Sequence, residues 1–160
     1  MKTPIIETDR LILRPILESD VKPIFDCWMR DENVSKYMFW KASDEISEAD
    51  AFVNFELGHI EDDRWYRWII EKKDSNNIIG TCLLYFNDDD GEGNWDVSYN
   101  LGVDYWEHGY ITEAMKMVML FAENELKITQ CVTTYAKANT ASGRVLEKLG
   151  FRYVCEEPYF

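Results

Sequence analysis

The stretch "VDYWEHGYITEA", residues 103–114, sets a single glycine between an aromatic-rich turn and the opening of a helix. A glycine at this point lets backbone N–H groups crowd together, and the first N–H groups of a helix have no partner within it. Such a mouth attracts anions through main-chain donors and helix dipole, without any cationic side chain. It is no Walker loop, because no Gly-Lys-Ser/Thr follows, and no dinucleotide fingerprint, because two of the required glycines are absent. What remains is a main-chain site suited to a pyrophosphate. The plainer alternative is that Gly109 only relieves a tight turn.

Downstream, residues 111–126 have helical spacing, with Ile111, Ala114, Met115, Val118 and Ala122 on one side and Glu113, Lys116, Glu123 and Asn124 on another. "TQCVTTYAK" (129–137) reads as a strand. "NTASGRVLEKLGF" reads as a helix capped by Asn139 and closed by Gly150, and "RYVCE" (152–156) as a last strand. Upstream, "RLILRPI" (10–16) alternates as a strand should, and a helix begins at Ser19 or Asp20 with Pro23 in its first turn. "SDEISEADAFVNFELG" gives a second helix, capped by Ser43 and ended by Gly58. "RWYRWIIEK" (64–72), "IIGTCLLYF" (78–86) and "WDVSYNL" (95–101) then form an antiparallel meander. The order is strand, helix, helix, three strands, helix, strand, helix, strand: an α+β chain with a strand–helix–strand crossover in its later half.

At 160 residues and 46% hydrophobic composition, the chain fits one domain spanning 1–160. No apolar run reaches the length of a signal peptide or a membrane span, so the expected location is cytoplasmic, with no membrane partner. The four cysteines are widely spaced and lie near neither histidine, which speaks against zinc and for reduced, mostly buried thiols. The acidic run "NDDDGEGN" fails as a calcium loop: with Gly93 as the turn glycine, Tyr99 stands where the bidentate Glu belongs. No metal is expected. A formal net charge of −13 disfavours nucleic acid and would draw in cationic amines or basic protein tails.

Four segments in this order, "ETDRLILRP", "WDVSYNLGVDYW", "EHGYITEA" and "NTASGRVLEKLGF", together span nearly the whole chain and carry a resemblance to a known family. The chain resembles the GNAT superfamily of N-acetyltransferases, and within it the RimJ/RimL branch that acetylates N-termini of ribosomal proteins. The resemblance implies a central, mostly antiparallel twisted sheet, splayed at its middle and flanked by about four helices. It implies acetyl-CoA as cofactor, with Trp106, Glu107, His108, Gly109, Tyr110, Ile111 and Thr112 forming the pyrophosphate loop at the helix mouth. Trp106 and Ile111 depart from the polar first and small last residues of that motif, while Gly109 matches. It further implies that backbone at Leu101, Gly102 and Val103 pairs with the pantetheine arm. Asn139 and Ser142 then lie near the cofactor, with Arg144 and Lys148 as candidates for a phosphate.

Acetyl transfer needs a neutral amine, donors for a tetrahedral oxyanion and a departing thiolate. A lysine-like amine of pKa ~10.4 costs roughly 4 kcal/mol to deprotonate at neutral pH, and an α-amine of pKa ~7.8 only about 1. Alternation puts Asp96, Ser98 and Asn100 on one face of the third meander strand. Asp96 is the candidate base, acting through water, with Ser98 and Asn100 orienting water or substrate. Leu146 occupies the position where many superfamily members carry a Tyr general acid, which leaves the acid unassigned. The expected acceptor is a protein N-terminal α-amine or a small cationic amine, and the alternative role is an acyl-CoA-binding regulatory module without turnover. One more strand would be needed to cover the "RYVCE" edge, hence either a missing strand or a homodimer partner.

Overall fold

The computed structural model describes residues 1–89 and 91–156. Five antiparallel strands lie side by side in chain order: β1 (Ile6–Glu7), β2 (Leu11–Arg14), β3 (Trp65–Lys72), β4 (Ile78–Asn87) and β5 (Asn94–Leu101). Helices α1 (Val21–Ile24), α2 (Glu32–Ser35) and α3 (Ile46–Leu57) intervene between β2 and β3, whereas α4 (Tyr110–Asn124) and α5 (Thr140–Lys148) follow β5.

Strand register sorts the side chains onto two faces. Trp68, Cys82 and Tyr99 stand in one cross-strand row and Tyr66, Leu84 and Val97 in the next. These rows pack with the apolar stripe of α4, from Tyr110 and Ile111 through Ala114, Met115, Val118 and Phe121. The opposite face packs Ile69 and Ile78 with Ile16, Ile24, Trp28, Val34 and Val53 from the early helices and their connections. Fully buried Leu13, Ile70 and Met115 each contribute about 1.5–3 kcal/mol relative to exposure. The sheet is thus a wall with an apolar layer on each side, and β5 is its exposed edge beyond Val97.

Several expected elements differ. A short β1 precedes the strand that alternation reveals, and that strand itself is only Leu11–Arg14. The first helix is broken into a 3-10 turn at Glu18–Asp20, α1, and a π-helical turn at Phe25–Met29, where Arg30 N–H reaches the Phe25 carbonyl at 3.3 Å. Asp20 does not cap α1 with its side chain, because both its oxygens accept from Arg14 at 2.9 Å. Ser43 accepts from Glu45 N–H at 3.1 Å, and α3 starts later, at Ile46. Asn139 does cap α5, accepting from Ser142 N–H at 3.2 Å.

The two late strands are the main corrections. Residues 129–137 form no strand, only one parallel bridge between Trp95 and Cys131. Val132 N–H donates to the Trp95 carbonyl at 2.8 Å, Thr133 Oγ1 to that of Val97 at 3.3 Å, and then the segment diverges from β5. The isolated bridge is parallel, but the gap beyond Val97 denies it a ladder, so the expected crossover lacks its second strand. Residues 152–156 carry no strand either, with Tyr153 and Val154 exposed. Asp90, in the acidic run of the sequence, lies outside the described residues, as do residues 157–160.

Candidate active site

Gly102 N–H bonds the Ile79 carbonyl at 2.8 Å, so in this register the even-numbered residues of β5 direct their backbone groups toward β4. Trp95, Val97, Tyr99 and Leu101 therefore direct theirs outward, the first two toward residues 131–133 and the last two into the gap beyond them. The outward carbonyl of Leu101 accepts the Trp106 indole N–H at 2.9 Å. Trp106, the unexpected aromatic at the start of the loop, thus folds back to satisfy the last carbonyl of the strand. Gly102 lies elsewhere: a Cβ there would stand 2.6 Å from Cys27 Sγ, and its N–H and carbonyl are both used, the carbonyl by Tyr105 N–H at 3.0 Å. Val103 opens a 3-10 turn, and its carbonyl accepts from Trp106 N–H at 3.1 Å.

The loop between that turn and α4 holds two left-handed residues, Glu107 at φ 65° and Gly109 at φ 76°. The first is uncommon for a residue with a Cβ. Gly109 is the N-cap of α4, with no side-chain cap, and the first intrahelical bond runs from Glu113 N–H to the Gly109 carbonyl at 3.0 Å. The N–H groups of Tyr110, Ile111 and Thr112 accordingly open at the mouth. Beside it is a cleft of about 770 Å³ lined by Thr8, Asp9, Gly109, Thr112, Lys116 and Lys148, among others. Of the two late-helix cations, Lys148 reaches this cleft lining and Arg144 does not.

On the face toward the early helices, Trp65, Tyr85 and Asp96 form one cross-strand row, Arg67, Leu83 and Ser98 the next, and Ile69, Thr81 and Asn100 the third. Sequence alternation places Asp96, Ser98 and Asn100 together, and so does the register. Asp96 is half-buried; Val97 N–H donates to Oδ1 at 2.7 Å and Tyr85 hydroxyl to Oδ2 at 3.2 Å. Burial raises its pKa above the ordinary carboxylate value, against the opposing effect of hydrogen bonds from Thr133, Val97, Tyr85 and Asn87. A carboxylate so placed is a better proton acceptor than an exposed one. Among the described residues, Asn100 Nδ2 is buried without a hydrogen-bond partner, a costly arrangement in a folded protein.

Four features of the site were not found by sequence reasoning. Tyr99 spans the gap to α5, its hydroxyl 2.9 Å from Ser142 Oγ and 3.3 Å from the Ser142 carbonyl. Burial raises the Tyr99 pKa, with Ser142 acting in the opposite direction. Glu56 of α3, 2% exposed, accepts from Trp65 Nε1 at 2.7 Å and Arg67 Nε at 2.8 Å, fixing the floor behind Ser98. Cys131 sits against Asp96, its thiol pushed up to about 12, first by burial and then by that carboxylate. Finally, Arg10 contacts the mouth from the β1–β2 turn. Partners separated by 98 to 105 residues leave no local signal in the chain. Among the described residues, no group of three His, Cys, Asp or Glu is placed to hold a metal, and no helix is long and apolar enough to cross a membrane.

Residues 10–152 match the acetyltransferase (GNAT) domain. An uncharacterized N-acetyltransferase of Bacillus subtilis, YoaA, is 30% identical over 149 residues, 93% of this chain and 83% of the relative. An acetyltransferase structure of the same family from Bordetella pertussis superposes with a TM-score of 0.81 at 16% identity, covering 98% of this chain and 93% of the other. The structure of RimL, a ribosomal L7/L12 α-N-protein acetyltransferase in complex with coenzyme A, gives 0.78 at 16% identity, covering 91% and 82%. With a match that runs from β2 past α5, the chain belongs to the GNAT family of acetyltransferases, enzymes that draw their acetyl group from acetyl-CoA.

Proposed function

We propose that this acetyltransferase acts on a primary amine, foremost the α-amine of a protein N-terminus, as the RimJ/RimL branch does. The observation that carries this reading is Asp96: a half-buried carboxylate whose pKa is raised by burial, on the face toward the early helices. A short carboxylate working through water is a modest base, and it suits an α-amine that costs about 1 kcal/mol to deprotonate rather than a lysine that costs about 4. Ser98 shares this face, and the unpartnered Asn100 Nδ2 supplies a donor there for water or an acceptor carbonyl.

In this reading the N–H groups from Gly109 to Thr112 hold the pyrophosphate, with Trp106, Glu107 and His108 shaping the loop. The pantetheine arm runs along the outward backbone of Tyr99 and Leu101, with Trp106 holding the Leu101 carbonyl and Val103 bounding the far end. Asn139 and Ser142 line the opposite wall. Ser142, oriented by Tyr99, takes the role that Leu146 cannot: its hydroxyl relays a proton from solvent to the departing thiolate and is itself left neutral. A thiol of pKa ~8.5 already leaves acceptably, so this help is an increment and not a requirement. A small cationic amine is the second acceptor class, favoured by the net charge of −13.

The deciding experiment offers acetyl-CoA with a lysine-free peptide bearing a free N-terminus, an N-blocked peptide bearing lysine, and spermidine. Products are identified by mass. Highest kcat/KM for the free N-terminus supports the leading reading, whereas highest kcat/KM for spermidine transfers it to small cationic amines.

A further inference from the structure

Arg10 lies in the turn between β1 and β2, far in sequence from the helix mouth, yet its guanidinium makes three contacts there. Nε donates to Glu113 Oε1 at 2.7 Å, Nη2 donates to the His108 carbonyl at 3.0 Å, and Cζ lies 4.3 Å from the Tyr110 ring centroid. Glu113 also accepts from Thr8 Oγ1 at 2.6 Å and from the Arg10 backbone N–H at 3.1 Å. Burial by itself would raise the Glu113 pKa, but these hydrogen bonds outweigh it and hold the carboxyl below its ordinary value.

In a trans peptide unit the carbonyl of one residue and the N–H of the next point in opposite directions. Arg10, by drawing the His108 carbonyl to the β1–β2 side, fixes the Gly109 N–H toward the other side. Gly109 at φ 76° and Glu107 at φ 65° permit that peptide orientation but do not select it, since free loops sample several. Arg10 also neutralises Glu113, whose carboxylate in the first turn of α4 would otherwise oppose an anion at the same mouth. Lys72, 5.5 Å from the centroid of Tyr110, adds a second cation on that ring.

We infer that Arg10 is a positioning residue for the cofactor loop: its fork, braced on Glu113, holds the His108–Gly109 peptide so that the loop amides face the pyrophosphate. This inference rests on the reading of residues 106–112 as the pyrophosphate loop. A rigid two-sided fork is needed, because lysine offers only a flexible point charge.

The test compares binding of coenzyme A and of S-acetylpantetheine, which lacks the pyrophosphate, to wild type, Arg10→Ala and Arg10→Lys, by calorimetry with competition for the weaker ligand. Both variants are expected to bind coenzyme A about tenfold more weakly, the scale of one charge-assisted hydrogen bond, and S-acetylpantetheine unchanged. Wild-type coenzyme A affinity in Arg10→Lys would overturn the inference, because charge alone would then suffice. Equal weakening of both ligands would also overturn it, since the role would then be general support of the fold. If wild type itself binds coenzyme A no better than S-acetylpantetheine, the loop reading fails and takes this inference with it. Should Arg10→Ala not fold, Glu113→Gln removes the brace by a gentler route, with the same loss for coenzyme A alone expected and no loss overturning the inference.

Discussion

The Tyr99 hydroxyl stands 2.9 Å from Ser142 Oγ, joining the edge strand β5 to α5 across the gap where the sheet opens. In the proposed reading this pair stands in for the general acid that Leu146 does not supply. Ser142→Ala is expected to lower kcat about tenfold or more, within the range typical of acid catalysis, with KM for acetyl-CoA little changed. Tyr99→Phe should lower kcat in the same direction by a smaller factor. Steady-state kinetics checks both, and an unchanged kcat in Ser142→Ala removes the pair from the chemistry.

Asp96 links activity and stability with opposite signs. Its folded pKa is raised by burial, so the folded protein binds that proton more tightly than the unfolded chain does. Stability from this group is therefore full below the unfolded carboxylate pKa and is lost as pH rises through the folded value. Asp96→Asn should unfold at a higher temperature than wild type at pH 7, and the advantage should shrink as pH falls through the carboxylate range. The same variant should lose about 10²–10⁴-fold in kcat. Thermal scans at several pH values, paired with kinetics, test the two halves separately; retained turnover removes Asp96 as the base.

Gly80 of β4 lies directly against Leu101 and its neighbour Asn100 on β5. A Cβ there would meet the Asn100 carbonyl oxygen at 2.2 Å and Leu101 Cδ2 at 2.6 Å, so Gly80→Ala has to move backbone. We expect a loss of roughly 2–4 kcal/mol, at the upper end for overpacking. Gly91, at φ 82° with nothing within 4 Å of an added Cβ, should lose only about 1 kcal/mol from left-handed strain when changed to Ala. Denaturant titration of both variants measures the contrast.

Glu56 tests whether the floor behind Ser98 is structural. It is buried and paired with Arg67 at 2.8 Å, with Phe52 against the guanidinium. Glu56→Ala leaves a buried cation unpaired and should cost about 3–5 kcal/mol, read from the denaturation midpoint. Replacing Glu56 and Arg67 together by apolar residues should recover much of that loss.

The sequence revealed those parts of the fold whose cause is local. Alternation in 64–101 identifies three strands because each is long and paired on both sides or capped by a tight turn. Helical spacing locates α3, α4 and α5, and Asn139 marks the start of the last. It failed at Cys131 and its neighbours, where β-favouring residues find only one rung of partner backbone, and composition cannot report a missing partner. It failed again at Phe25–Met29, where a widened turn is dictated by what packs against it. The shared face of Asp96, Ser98 and Asn100 was legible through the two-residue period of a strand. Arg10, Tyr99 and Glu56 were not, because each acts through a partner brought close only by the tertiary fold.

The single rung at Trp95 and Cys131 sets how residues 131–137 move. Among the described residues a single main-chain bond, Val132 to Trp95, ties this segment to β5, beside the Thr133 side-chain bonds to Val97 and Asp96, the exposed Lys137–Glu156 pair and the packing of Cys131 against the core. Its amides should therefore exchange with solvent through a local opening far cheaper than unfolding, while those of β3 and β4 wait for the whole sheet. A cofactor arm bound in the gap would supply the rungs that the protein leaves out. Slowed exchange there would record the domain completing its own sheet with a ligand.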